Sequence, residues 1–164
     1  MGQVALVTGG NRGIGLATAQ RLRDGGYTVV VGSRSGEAPD GLDAVRLDVS
    51  DPASIEAGFA EIEERFGPVL VLVANAGITR DGLLMRMSDE DIDDVLATNL
   101  AGSIRLARRA LKGMIRARSG RIVFVSSVVG MLGSGGQVNY AASKAGLIGA
   151  ARSLAREVGS RGIT

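Results

Sequence analysis

Gln3-Val4-Ala5-Leu6-Val7-Thr8-Gly9-Gly10-Asn11-Arg12-Gly13-Ile14-Gly15 opens the chain with an apolar run that passes into glycines and then into helix-forming sequence. A run this short, apolar and free of polar alternation reads as a strand buried on both faces, and therefore as part of a parallel sheet. Gly9 permits a tight turn, Gly13 lets backbone approach a pyrophosphate, and Gly15 allows helix and strand to touch. The N–H groups that open the following helix supply an anion site. The spacing is Gly-x-x-x-Gly-x-Gly, so the stretch reads as a phosphate cradle or as a structural glycine turn, and the flanking strand and helix favour the cradle.

Working outward, residues 3–8, 27–32, 43–47, 69–74 and 121–126 are short, rich in Val, Ile and Leu, and mostly apolar. Helical patterns separate them over 13–24, over 52–66 behind Asp51, and over 88–118 as one long helix or two; a last one runs over about 139–158. Strands alternating with helices predict an α/β fold: a Rossmann-like, doubly wound parallel sheet whose sites lie at the carboxyl ends of the strands. The loop 33–41 is a polar connection. One dinucleotide-binding domain over residues 1–164 is expected. The sequence stops at Arg161-Gly162-Ile163-Thr164, where a further apolar strand could begin, so the sheet is expected to lack its last strands and lid.

Composition narrows the chemistry. With no Cys and no His, the chain lacks a disulfide framework, a thiolate nucleophile and the usual zinc and triad ligands. A net charge of +2, with aromatics at only 3%, leaves no basic-aromatic surface for nucleic acid. The apolar start is short, lacks a basic leader and runs straight into the glycine loop, so no signal peptide is read and a cytoplasmic location is expected. No apolar run approaches the length that spans a bilayer, and no membrane partner is expected.

The second strand ends Val30-Val31-Gly32-Ser33-Arg34, without the Asp or Glu that would bind an adenine-ribose 2′-hydroxyl. A carboxylate there would repel a 2′-phosphate, whereas Arg34 can pair with it, which favours NADP(H) over NAD. Arg12 could assist from the glycine loop or be a solvated surface charge. Further on, Tyr140-Ala141-Ala142-Ser143-Lys144 puts a phenol and an ammonium on one helix face at i and i+4. The ammonium stabilises phenolate, which brings a phenol nearer to useful acid–base range at neutral pH. That pair alone is common by chance. Ser127, thirteen residues earlier at the carboxyl end of the strand 121–126, adds a hydroxyl at the catalytic edge of the sheet.

Together these segments resemble the short-chain dehydrogenase/reductase family. Thr8 to Gly15 resembles its cofactor loop, Ala74-Asn75-Ala76-Gly77 its sheet-stabilising turn, and Asn99, Ser127, Tyr140 and Lys144 its catalytic tetrad. The resemblance implies that Tyr140 protonates a carbonyl oxygen, that Ser127 hydrogen-bonds that oxygen, and that Lys144 also holds the nicotinamide ribose. It implies that Asn99 interrupts local helix bonding and binds a water linking Lys144 to solvent. It assigns Gly9, Asn11, Arg12, Gly13, Ile14 and Gly15, with Arg34, to the cofactor's phosphates. Asp48 and Val49 would cup the adenine, and Asn75 and Gly77 would lie beside a ribose. Taken alone, Asp48 reads equally as a cap or turn residue and Asn99 as a buried structural amide.

Residues 75–87, 127–130 and 139–146 look like the β-ketoacyl-acyl-carrier-protein reductases of fatty-acid synthesis within that family. This likeness implies reduction of a 3-oxoacyl thioester, an acidic carrier protein facing Arg118 and Arg161, and a homotetramer. Both arginines read equally as solvated charges, and Met85 and Met87 as gap-filling apolar side chains. Gly146, Gly149, Ala150 and Ala151 would let helices approach closely, across a tetramer interface or onto the sheet. Two other readings stand beside the main one. The first is a related reductase or dehydrogenase acting on a polyketide, sugar or small alcohol. The second is a non-catalytic NADP-binding module.

Overall fold

A computed structural model describes residues 2–39 and 41–164; Asp40, within the loop 33–41, lies outside the described residues. Five strands form one parallel sheet: β1 (Val4–Thr8), β2 (Thr28–Ser33), β3 (Asp43–Arg46), β4 (Val69–Ala74) and β5 (Arg121–Phe124). Their order is β3-β2-β1-β4-β5, so the order reverses between β1 and β4, and a crevice opens at their carboxyl ends.

Helix α1 (Gly13–Asp24) connects β1 to β2, and α2 (Pro52–Phe66) connects β3 to β4. Asp51 caps α2 by accepting from Ala53 N at 2.9 Å, with Pro52 at the first helical position, where a missing N–H costs nothing. Two apolar layers sandwich the sheet. One gathers Leu6, Val30, Leu72, Phe59, Leu106 and Met114 among its buried members, and the other packs Ala5, Val7, Val31 and Val73 against Ala19. Continuous apolar strands are what a sheet covered on both faces requires.

The region 88–118 is two helices with an interruption at Asn99 between them. It is α3 (Asp89–Val95), a π-helical stretch Leu96–Gly102, and α4 (Ser103–Ala117). Gly102 explains part of the distortion: a Cβ there would lie 2.6 Å from Val49 O, so only glycine lets the turn pass this close to the chain after β3. Arg118 then ends α4 in the left-handed conformation at φ 51°. Buried Arg109 on α4 lies over the Phe59 ring at 5.0 Å and donates to Glu56 and Glu63, which fixes α4 against α2.

Strand β5 stops two residues short of the expected 126. Val125 N still donates to Ala74 O, but Ser126 turns away and its Oγ donates to Lys144 O at 2.8 Å. A short helix α5 (Val129–Leu132) and a 3₁₀ turn Leu84–Arg86 escape the sequence reading because neither is long enough to show a period. Helix α6 (Val138–Val158) follows, and beyond it Gly120 and Ile163 form a parallel bridge beside β5. No helix among the described residues is long and apolar enough to cross a membrane.

Candidate active site

Each of the five strands delivers residues of the expected site at its carboxyl end: Gly9 after β1, Arg34 after β2, Asp48 after β3, Asn75 after β4 and Ser127 after β5. The glycine loop is joined to the turn after β4 by the side chain of Asn75, which donates to Thr8 O at 3.0 Å and Gly9 O at 3.3 Å. Thr8 returns the contact by accepting on Oγ1 from Asn75 N and Ala76 N, both at 3.2 Å. Thr8 was not singled out from the sequence, where it reads as the last residue of a strand.

Each glycine of the cradle has its own spatial reason. Gly9 has φ 64°, and a Cβ there would sit 3.1 Å from Ala76 Cα. Gly13 has φ 56° with nothing within 4 Å of its would-be Cβ, so its backbone faces open space at the start of α1. At Gly15 a Cβ would fall 2.3 Å from Gly9 O. Asn11, Arg12 and Ile14 are exposed around this opening, and Arg12 is the extended residue before α1. Bare N–H groups at a helix start, with no side chain filling the approach, fit a phosphate group.

Arg34 stands exposed just beyond β2. Its charge, with that of Arg46, reaches Asp48. The Asp48 carboxylate accepts from Ser50 Oγ at 2.6 Å and Ser50 N at 2.9 Å, and these contacts hold its pKa below the usual aspartate value, with Ser50 as the main cause. Val49, buried, lies against Gly102. The structure thus brings Arg34 near Asp48 and Val49 at the carboxyl ends of β2 and β3.

The expected tetrad positions come from three parts of the chain: Asn99 from the π-helical stretch, Ser127 from the segment after β5, and Tyr140 and Lys144 from α6. Lys144, 5% exposed, donates from Nζ to Val125 O at 2.8 Å and lies 5.6 Å from the centroid of the Tyr140 ring. Ser127 Oγ accepts from Val129 N at 3.2 Å, which leaves its own O–H free to donate outward. Asn99, 1% exposed, is engaged on both ends of its amide: Oδ1 accepts from Ile78 N at 2.8 Å, and Nδ2 donates to Ile78 O at 2.9 Å and Ser143 Oγ at 3.2 Å. It sits in the π-helical stretch, and its own carbonyl accepts from Ser103 Oγ. Gly77 shows how close these groups come, since a Cβ there would lie 3.2 Å from Asn99 Oδ1 and 3.6 Å from Lys144 Nζ.

Every buried side-chain nitrogen and oxygen among the described residues has a hydrogen-bond partner.

Burial pushes the Lys144 pKa below the ordinary lysine value of 10.5. The unfolded chain then holds the Lys144 proton at pH values where the folded chain has released it, so folding stability gains as pH rises toward 10.5. Lys144→Met removes this gain. Urea titrations of both proteins from neutral to mildly alkaline pH should show the stability difference moving steadily in favour of the native sequence, and parallel pH profiles would contradict a buried, desolvated lysine.

A glycine turn between strand and helix, a switch-point crevice and a buried lysine 5.6 Å from a tyrosine ring mark the carboxyl edge of this α/β sheet. The family model described as short chain dehydrogenase matches residues 3–164, and the chain belongs to that family. It is 52% identical over 159 residues to the 3-oxoacyl-[acyl-carrier-protein] reductase MabA of Mycobacterium avium, covering 97% of this chain and 62% of that protein. MabA of Mycobacterium tuberculosis (strain ATCC 25618 / H37Rv) is also 52% identical over 159 residues, covering 97% of this chain and 64% of that protein. The 3-oxoacyl-[acyl-carrier-protein] reductase FabG of Escherichia coli (strain K12) is 49% identical over 171 residues, covering 99% and 70%. The chain thus spans less than two thirds of the length of the mycobacterial relatives.

Proposed function

We propose that the chain is one dinucleotide-binding domain, residues 1–164, of a cytoplasmic NADPH-dependent oxidoreductase. Its reaction is reduction of 3-oxoacyl-[acyl-carrier-protein] to the 3-hydroxyacyl form in fatty-acid synthesis. The carrying observation is the buried Lys144 held 5.6 Å from the Tyr140 ring, in a chain about half identical to proteins named for that reaction.

A nicotinamide bound at the crevice supplies a hydride for the carbonyl carbon. The chain's own residues do the rest. Ser127 donates its free O–H to the carbonyl oxygen, and Tyr140 passes its phenolic proton to the same atom as charge develops there. Lys144, anchored to Val125 O, offers its remaining N–H groups to a ribose and its charge to the phenolate left behind. Asn99 keeps the turn at Ile78 and Gly77 in register and, with Lys144, borders the point where a proton-carrying water would sit. Gly9, Asn11, Arg12, Gly13, Ile14 and Gly15 would hold the pyrophosphate and neighbouring phosphates, Asp48 and Val49 the adenine, and Asn75 and Gly77 the ribose side.

NADP(H) rather than NAD(H) follows from Arg34 at the end of β2. Charge-assisted hydrogen bonds are worth about 1.5–3 kcal/mol, which corresponds to about 10–100-fold in affinity. Arg34→Ala should therefore weaken NADPH by about that factor with NADH little changed. Unaltered NADPH binding by calorimetry would remove Arg34 from the cofactor site.

Arg118 and Arg161 are both exposed, and the backbone beside them meets ahead of β5, where a Cβ on Gly162 would lie 2.5 Å from Arg118 O. They form the proposed contact for an acidic carrier protein. The proposed homotetramer draws support from exposed Ile104 and Ile115 on α4 and from Gly149 on α6, whose would-be Cβ meets nothing within 4 Å. Gly146, by contrast, packs inside the chain against Leu100.

The deciding assay is NADPH oxidation with an acetoacetyl thioester. It should be run on this chain and on the chain continued with the C-terminal residues of the Escherichia coli relative. Reduction of simple ketones without thioesters would move the protein to another carbonyl reductase, and NADPH binding without turnover in either form would leave a cofactor-binding module.

A further inference from the structure

Tyr140 occupies the first turn of α6, whose opening N–H groups have no intrahelical partners, and the residue before the helix, Gln137, gives no side-chain cap. A proton donor placed in a fraying turn needs restraint from elsewhere. Two buried side chains provide it, one bonded to the backbone N–H of Tyr140 and the other to its carbonyl oxygen.

Asn139 is 2% exposed and bonds to three segments at once. Its Oδ1 accepts from Tyr140 N at 2.7 Å, while Nδ2 donates to Arg80 O and to Asp91 O, each at 3.1 Å. Ser143 is fully buried. Its hydroxyl donates to Tyr140 O at 2.7 Å and accepts from Asn99 Nδ2 at 3.2 Å, and the Asn99 amide is itself bonded to both backbone groups of Ile78. Both pins thus end on the stretch from Ile78 to Arg80, directly after the turn that carries Asn75 and Gly77. The Arg80 ion pairs with Asp91 at 3.9 Å and Asp94 at 3.7 Å are half-exposed and long, so the buried amide is the stronger tie between this stretch and α3.

We infer that Asn139 and Ser143 act as a clasp that fixes the position of Tyr140 relative to the turn after β4, and are positioning residues for the reaction. The catalytic consequence rests on the reductase reading; the restraint on the phenol does not. Chemistry dictates the residue types. An Asp at 139 keeps the shape but loses both donors and turns a carboxylate toward two carbonyl oxygens, whereas a Thr at 143 keeps the hydroxyl.

Tyr27 and Tyr140 are the two tyrosines of the chain, so Tyr27→Phe leaves Tyr140 as the single site for 3-fluorotyrosine. In that background the fluorine spectrum of the folded parent should show one narrow Tyr140 resonance. Asn139→Asp and Ser143→Ala should broaden or split it, and Ser143→Thr should restore it. In parallel, Ser143→Ala should lower kcat by about 10–100-fold with NADPH affinity held within about threefold, because a reacting group displaced by about 1 Å costs on that order. Ser143→Thr should recover most of this loss.

An unchanged resonance in folded Ser143→Ala would overturn the clasp, as would a loss of kcat that Ser143→Thr fails to recover. If Asn139→Asp does not fold, the Ser143 pair decides alone. A parent that binds NADPH and reduces no carbonyl, yet whose resonance responds to Ser143→Ala, upholds the clasp and counts against the reductase reading instead.

Discussion

Tyr140→Phe is expected to lower the rate of carbonyl reduction by about 10²–10⁴-fold, the range for loss of a positioned general acid, while NADPH affinity stays within about twofold. The split follows from the geometry. Removing the phenolic oxygen deletes the proton source but leaves the ring, so Lys144 keeps its place beside an aromatic face and its bond to Val125 O. The residual rate should come from Ser127, whose O–H is still free because its oxygen accepts from Val129 N. Single-turnover measurements with preloaded NADPH separate the two quantities, and a Phe variant reducing thioester at the native rate would refute Tyr140 as the acid. Lys144→Met should differ in kind, weakening both the chemistry and the hold on the ribose. A variant pair with the same ratio of kcat to affinity loss would deny Lys144 its second role.

Much of the frame was legible because it depends on patterns local in sequence. Val4 to Thr8, or Val69 to Ala74, can be read as doubly covered strands from apolar residues alone, and Gly9, Gly13 and Gly15 mark a turn that few other residues could make. The alternation of such segments then fixes the parallel sheet and the edge where the site lies. What escaped depends on partners distant in sequence. Only the family resemblance marked an interruption at Asn99 within 88–118; the π-helical form from Leu96 to Gly102 depends on Asn99 bonding to Ile78, 21 residues back, and on Gly102 lying against Val49. Asn139 reads as an ordinary polar residue opening a helix; its bonds reach 59 and 48 residues away. Ser126 likewise gives no local reason for leaving β5, since its partner is the Lys144 carbonyl 18 residues on. Tertiary hydrogen bonds therefore decided the fine placement of the tetrad, and hydrophobic periodicity decided the scaffold.

The glycine loop carries the second large effect. At Gly15 a methyl group would stand 2.3 Å from Gly9 O and 2.5 Å from Asn75 Nδ2, far inside van der Waals contact with backbone on one side and a bonded amide on the other. Neither neighbour can yield cheaply. Gly9 is held in the left-handed region at φ 64° and donates from N to Gly32 O at 2.8 Å. The Asn75 amide is committed to Thr8 O and Gly9 O. Gly15→Ala must therefore push the start of α1 away from β1, or break the Asn75 bonds that join the two halves of the crevice. Overpacking of this type typically costs about 1–3 kcal/mol of stability. The larger loss should be in binding, because the N–H groups facing a pyrophosphate move with the helix start. NADPH affinity is expected to fall by about 100-fold or more, equivalent to about 2.7 kcal/mol, in a protein that still unfolds cooperatively. Gly13→Ala offers the contrast. Its would-be Cβ meets nothing within 4 Å, so strain at φ 56° and obstruction of the open approach are the only penalties, and the fold should lose less than in Gly15→Ala while binding still weakens. Equal stability losses in the two variants would mean that the contact between α1 and β1 is not what Gly15 protects.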